Sequence, residues 1–228
     1  MAFVKQVRIS GLWAVGLCLV AMLATTGGSA SAASLLFVPH SGKFPYHLAG
    51  TGGAMILETL GGTKIEAAST DALALVLNST LSDLRVEFLK FKSGFESCGN
   101  DGKTETVLLN LLTHLGFADP GSKPAELLLV PSGFEFTCAG FVNSKLRGSL
   151  IGEITKPALN TASEELSLSF KQTKGEQEFT KFLLGSSLLE NQFEEVALNG
   201  GAFEKIGQSY TVTLKALAGQ GTFLLASP

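Results

Sequence analysis

"ELSLSFKQ" (165–172) and "SYTVTLKA" (209–216) set the fold class. In the first, Leu166, Leu168 and Phe170 alternate with Ser167, Ser169 and Lys171; in the second, Tyr210, Val212 and Leu214 alternate with Thr211, Thr213 and Lys215. A period of two places successive side chains on opposite faces, which predicts strands with one face buried and one face wet. "FEFTC" (134–138) extends the pattern by aligning Phe134, Phe136 and Cys138. "RVEFLKF" (85–91) starts in phase at Val86 and Phe88 and then shifts to Leu89 and Phe91, the mark of a bulge or of a strand covered on both sides.

Turn residues separate these runs. "LETLGGTKIEA" (57–67) reads as a hairpin around Gly61-Gly62, because glycine accepts the positive φ of tight hairpin turns. Further breaks are expected at Asp119-Pro120-Gly121, Pro131-Ser132-Gly133, Lys174-Gly175 and Asn199-Gly200-Gly201. Within "TVLLNLLTHLGF" (106–117), Leu108, Leu111, Leu112 and Leu115 fit a helical face as well as a strand, and the strand reading is preferred. The sum is an all-β chain, an antiparallel sandwich or barrel. It is expected to form a single domain over residues 33–228, with two abutting β-units dividing near 140–160 as the alternative. A double glycine followed by Lys-Ile occurs near both 60 and 200, too little information to establish a repeat.

The N-terminus bears on compartment. Lys5 and Arg8 precede the uncharged "GLWAVGLCLVAML" (11–23), and a small-residue segment ends at Ala30-Ser31-Ala32. That layout predicts a helical signal peptide over residues 1–32, with Ala30 and Ala32 as the cleavage-site residues. The apolar run falls short of the ~20 residues that span a bilayer, so no membrane insertion is expected after cleavage. Cys18 and the only tryptophan, Trp13, leave with it. Cleavage removes two of the 17 basic residues and none of the 20 acidic ones, taking the formal charge from −3 to −5. With no basic cluster, nucleic acid and anionic membrane surfaces are poor partners. The remaining aromatics are phenylalanines apart from Tyr46 and Tyr210, a set suited to cores more than to recognition surfaces. The missing tryptophan weighs against a carbohydrate-binding module.

Two cysteines remain, Cys98 and Cys138. An even count in an exported chain predicts a disulfide between them, against the alternatives of free thiols or a metal pair. The ring from Cys98 to Cys138 holds 41 residues, for which the loop-entropy model gives roughly 4 kcal/mol.

Five motifs in this order, "LETLGGTKIEA", "FESC" (95–98), "FEFTC", "LRGSLIGEI" (146–154) and "LNGGAFE" (198–204), resemble a group of uncharacterised secreted actinobacterial proteins over about residues 55–215. The resemblance implies compartment and architecture, with no activity attached. Such proteins carry a four-cysteine pattern; here Ala67 holds the first place and the third falls near Thr104 or Glu105. Loss of one bridge as a pair would leave Cys98 to pair with Cys138.

Chemistry is sparse. His40 and His47 lie in a segment, "FVPHSGKFPYHLAG" (37–50), expected to be loose or an edge strand; His114, in the leucine-rich run, reads as a half-buried side chain. "GSLIG" (148–152) does not match a nucleophile elbow. "GNDGKTE" (99–105) offers oxygen donors but lacks the ligand spacing of an EF-hand loop, so it reads as a turn. Asn78-Ser79-Thr80 matches a glycosylation sequon. The aspartates are Asp71, Asp83, Asp101 and Asp119, and the glutamates read as solvent-facing. No catalytic residue, metal site or cofactor is assigned. The expectation is a secreted, disulfide-stapled β-domain with a structural, adhesive or binding role in the envelope or extracellular space and an unknown surface partner. The alternative is a secreted hydrolase with dispersed carboxylates, which a pocket joining two of them would favour.

Overall fold

The computed structural model describes residues 34–119, 123–139, 142–190, 194–197 and 202–227. The signal segment 1–32, with Ala30 and Ala32, lies outside them, as do the expected turns at Pro120-Gly121 and Asn199-Gly200-Gly201. Among the described residues there is no helix. The chain opens with Leu36–Pro39 (β1) and Tyr46–Gly52 (β2), followed by three hairpins: Met55–Thr59 (β3) with Lys64–Ala67 (β4), Ser69–Val76 (β5) with Leu81–Leu89 (β6), and Lys92–Ser93 (β7) with Glu96–Gly99 (β8). Three long strands come next, Thr106–Asp119 (β9), Lys123–Cys138 (β10) and Val142–Lys156 (β11). Then follow Glu165–Phe170 (β12), the hairpins Gln172–Thr173 (β13) with Glu176–Gln177 (β14) and Lys181–Leu184 (β15) with Ser187–Glu190 (β16), and Glu194–Ala197 (β17), Glu204–Ala216 (β18) and Phe223–Ala226 (β19).

Every pairing is antiparallel, and the pairings close on themselves twice. One ring runs β2-β5-β6-β9-β10-β11-β12-β18 and back to β2. The other runs β3-β4-β7-β8-β10-β11-β17-β18 and back to β3. The strands β10, β11 and β18 belong to both. Closure removes sheet edges, the hazard of an open all-β sheet, and decides the fold class as barrel rather than sandwich. Following the register of the first ring from Gly50 through Ala72, Val86 and Leu109 returns to the first strand about ten residues along; with eight strands this corresponds to a tilt of roughly 40° and an interior that side chains can fill.

Three departures from the sequence reading follow from this pairing. Pro131-Ser132-Gly133 does not break the chain: it is a bulge inside β10, where the register with β11 shifts between Val130 and Phe134 and Gly133 takes φ +79°. Proline and an αL glycine signal a turn locally, but the flanking runs both find the same partner strand, so pairing continues across them. Likewise β2 is neither loose nor an edge, since it lies between β18 and β5. The Ser167 and Ser169 face of β12, expected to be wet, is buried; Ser167 Oγ lies 2.9 Å from Thr213 Oγ1 of β18.

Other expectations hold. Residues 106–117 lie in strand β9, Gly61-Gly62 turns the β3–β4 hairpin with Gly62 at φ +86°, and Lys174-Gly175 turns β13 into β14. The phase shift in "RVEFLKF", expected to mark a bulge or a strand covered on both sides, instead marks the end of β6, at Lys90 with φ +52°.

The interior is aromatic along its length. Phe170 stacks on Tyr210 at 4.5 Å, Tyr210 meets Phe88 edge-on, and Phe88 leads through Phe91 to Phe136 at 5.3 Å. This chain of rings crosses from the first ring of strands into the second, two positions from the cystine at Cys138. At the far end, β1 and β19 form a two-stranded sheet that stacks Phe37 on Phe223 against Tyr46. A satellite cluster of Phe179, Phe182, Ala118, Ala125, Leu127 and Ile151 covers the outer side of β9 and β10 beneath the β15–β16 hairpin.

Candidate functional site

Among the described residues three places hold most of the chemistry. The first is the staple. Cys98 and Cys138 face each other in the β8–β10 register, are joined by a disulfide with Cα atoms 3.9 Å apart, and are buried. The turn that follows Cys98 accounts for its own polar residues. Asn100 Nδ2 donates to the Leu108 carbonyl and its Oδ1 accepts from the Leu108 amide, both at 2.8 Å. One side-chain amide thus supplies the two bonds that a neighbouring strand would give the edge of β9. "GNDGKTE" is built as a strand-mimicking turn.

The second is inside the first ring and was missed by the sequence reading. Glu126 on β10 is 3% exposed, against the expectation that the glutamates face solvent. Both sides of β10 are covered here, by the barrel core and by the satellite cluster, so no position in this stretch is wet. The signal lay in "PAELLLV" (124–130), an apolar run with one acid inside it. Ser82 and Thr113, partners in the β6–β9 register, both donate to Glu126 Oε1, Ser82 from 3.1 Å. Burial pushes the Glu126 carboxyl above the ordinary carboxylate range; the two hydroxyl donors oppose this without cancelling it. The Tyr210 hydroxyl is also raised, first by burial and then by the Glu126 charge. The arrangement is a buried acid in a packed interior.

The third is the outer face where β2, β5, β6 and β9 run side by side. The register lays out three rows: His47, Leu75, Asp83 and Leu112; Ala49, Leu73, Arg85 and Asn110; Thr51, Asp71, Glu87 and Leu108. A hollow of about 650 Å³ opens over the first two rows and against Leu217, and a smaller one of about 320 Å³ adjoins it at Asp71, Arg85 and Glu87. Leu73 is 51% exposed, and Leu112 and Leu217 are also open. Glu87 is held by Lys103 at 2.6 Å. This volume lies within the 300–1,000 Å³ of small-ligand sites, which combine an apolar lining with a few polar groups.

The remaining sequence candidates are dispersed. His47 is on this outer face, His40 is exposed in the β1–β2 connection, and His114 is half-buried in β9. Asn78 turns β5 into β6, its Oδ1 accepting from the Thr80 and Leu81 amides. "GSLIG" lies within β11. Among the described residues no group of three or more His, Cys, Asp or Glu side chains is placed to hold a metal. Searches of protein-family models, curated proteins and solved structures found no match to this chain.

Proposed function

We propose that the chain is an exported binding module that uses the outer face of β2, β5, β6 and β9 to hold a partner in the envelope or outside the cell. The observation that carries this is the leucine-lined hollow, with Arg85 among its lining residues. Exposed leucines on the outer face of a closed barrel contribute nothing to its core, and an exposed apolar patch rimmed by polar groups marks an interaction surface. Export rests on the leader-like N-terminus and agrees with the buried cystine, a feature of oxidising compartments. The test is NMR of the full chain against a library of small apolar and amphiphilic fragments. Hits should perturb Leu73, Arg85 and Leu112 together and vanish in Leu73→Asp. Hits scattered over other faces would refute the assignment.

One observation favours a hydrolase as the second reading. Asp71 and Glu87 are direct register partners and line the smaller hollow with Arg85. Binding is preferred because Glu87 is engaged by Lys103 and the larger hollow is mainly leucine. Turnover of a chromogenic ester or glycoside that disappears in both Asp71→Asn and Glu87→Gln would reverse that preference.

A further inference from the structure

Among the described residues the most exposed large apolar side chain is Phe95, 107% exposed, at the tip of the β7–β8 hairpin. Gly94 precedes it at φ +59° in a two-residue turn, since Ser93 pairs with Glu96. Such a turn needs the glycine but places no demand on the residue after it, so the aromatic ring at position 95 serves neither turn nor core. Ile65 pairs with Ser93, which sets the β3–β4 turn, carrying Leu60 at 52% exposure, directly beside it. On the other side of Leu60, its amide donates to the Lys205 carbonyl, bringing the third exposed apolar residue, Phe203, into the same row. Phe203 lies under the Arg147 guanidinium, 3.1 Å from ring centre to carbon. Two hairpin turns and the residue leading into β18 thus set large apolar side chains at one end of the second ring of strands, Phe95 and Leu60 open to solvent and Phe203 partly covered by Arg147.

We propose that this end docks on a zwitterionic phospholipid surface, with Phe95 and Leu60 entering the headgroup–acyl boundary. Two features on this end select that occupant. Scaled by their exposure, the three side chains present about 300–400 Å² of apolar surface, given the 150–250 Å² that each aromatic can bury, less than the roughly 450 Å² of apolar area on each side of a stable protein interface. The charges around this end are mixed, Lys64, Lys92, Lys205 and Arg147 against Glu58, Glu66, Glu96 and Glu204, so there is no strong attraction for an anionic surface and no repulsion from a neutral one. Aromatic and leucine side chains at the lipid interface gain affinity in proportion to the apolar area they bury, without a spanning segment. This contact is separate from the outer face of β2, β5, β6 and β9, and either assignment can fail alone.

The experiment is flotation of the leader-cleaved chain, residues 33–228, with vesicles of phosphatidylcholine alone and with one third phosphatidylglycerol. Binding to both compositions with little difference is expected, and the double variant Phe95→Ser, Leu60→Ser should lose at least tenfold in partitioning, as removal of one or two buried apolar side chains implies. Both positions are exposed, so the variant should keep the thermal midpoint of the parent. A second readout uses Phe95→Trp in the same leader-cleaved chain, in which the new tryptophan is the only one: its emission should shift to the blue on adding phosphatidylcholine vesicles. Absence of flotation, equal flotation of the double variant, or vesicle-free self-association that the double variant abolishes would each overturn the proposal.

Discussion

Replacing Glu126 by glutamine tests the interior directly. In the folded chain the carboxyl is almost fully buried, accepts two hydroxyl hydrogen bonds on Oε1, and titrates above its ordinary value of about 4.5. In the unfolded chain it titrates near that value. Between the two, the folded state keeps the proton and the unfolded state releases it. Linkage then makes stability fall as pH rises through this window, by at most about 1.4 kcal/mol per pH unit for one proton. The contribution is complete below the unfolded value and is lost on reaching the folded one. Glutamine keeps an Oε1 acceptor for Ser82 and Thr113 and cannot ionise. Urea unfolding of parent and Glu126→Gln at half-unit steps from pH 4 to pH 8 should therefore give a difference in stability that moves in favour of the variant as pH rises. Surface groups such as the Lys215–Glu165 pair, in which each partner's hydrogen bond lowers the acid and raises the base, cancel in that difference. Parallel stability curves would refute the reasoning, because they would mean that Glu126 reaches water in the folded state.

Three further outcomes follow from other sites. Converting Cys98 and Cys138 together to alanine should cost about 4 kcal/mol in denaturant unfolding, as expected for a ring of this length; a loss under 1 kcal/mol would show that the barrel is closed equally well without the staple. Gly50→Ala should destabilise by about 3 kcal/mol or more, since its Cβ would fall 1.8 Å from the Thr213 carbonyl oxygen on β18, whereas Gly53→Ala, with open space at its Cβ, should stay within about 0.5 kcal/mol; calorimetry of the two separates them. Asn100→Ala removes both side-chain bonds to Leu108 and should cost about 1–3 kcal/mol, with faster amide exchange at Leu108 as the local readout.

Local patterning made the strands legible, and global closure hid the rest. The alternation at Tyr210, Val212 and Leu214 against exposed Thr211 and Lys215 works because β18 has a filled interior on one side and solvent on the other. The same inference failed at Ser167 and Ser169, where the outer side is covered as well and hydroxyl pairing with Thr213 and Thr211 replaces water. Whether an outer face is covered depends on which distant segment packs there, and no periodicity within six residues reports that. The cystine followed from compartment and count, while the buried acid needed the knowledge that β10 is covered twice. The outer-face hollow was invisible for a related reason. His47, Leu73, Arg85 and Leu112 come from four separate strands, and only the register brings them into two adjoining rows.

The three strands common to both rings also set an order of assembly. Up to β12 the chain can be laid down mostly through hairpins between near neighbours. The seams, however, close only when β18 pairs with β2 and β3, segments about 150 residues earlier. Until Glu204–Ala216 arrives, β2 and β3 each present an unpaired flank, a feature that favours slow folding and mispairing. A chain stopped short of residue 204 would therefore leave both rings open at once, and would depend on whatever prevents aggregation until synthesis or export is complete.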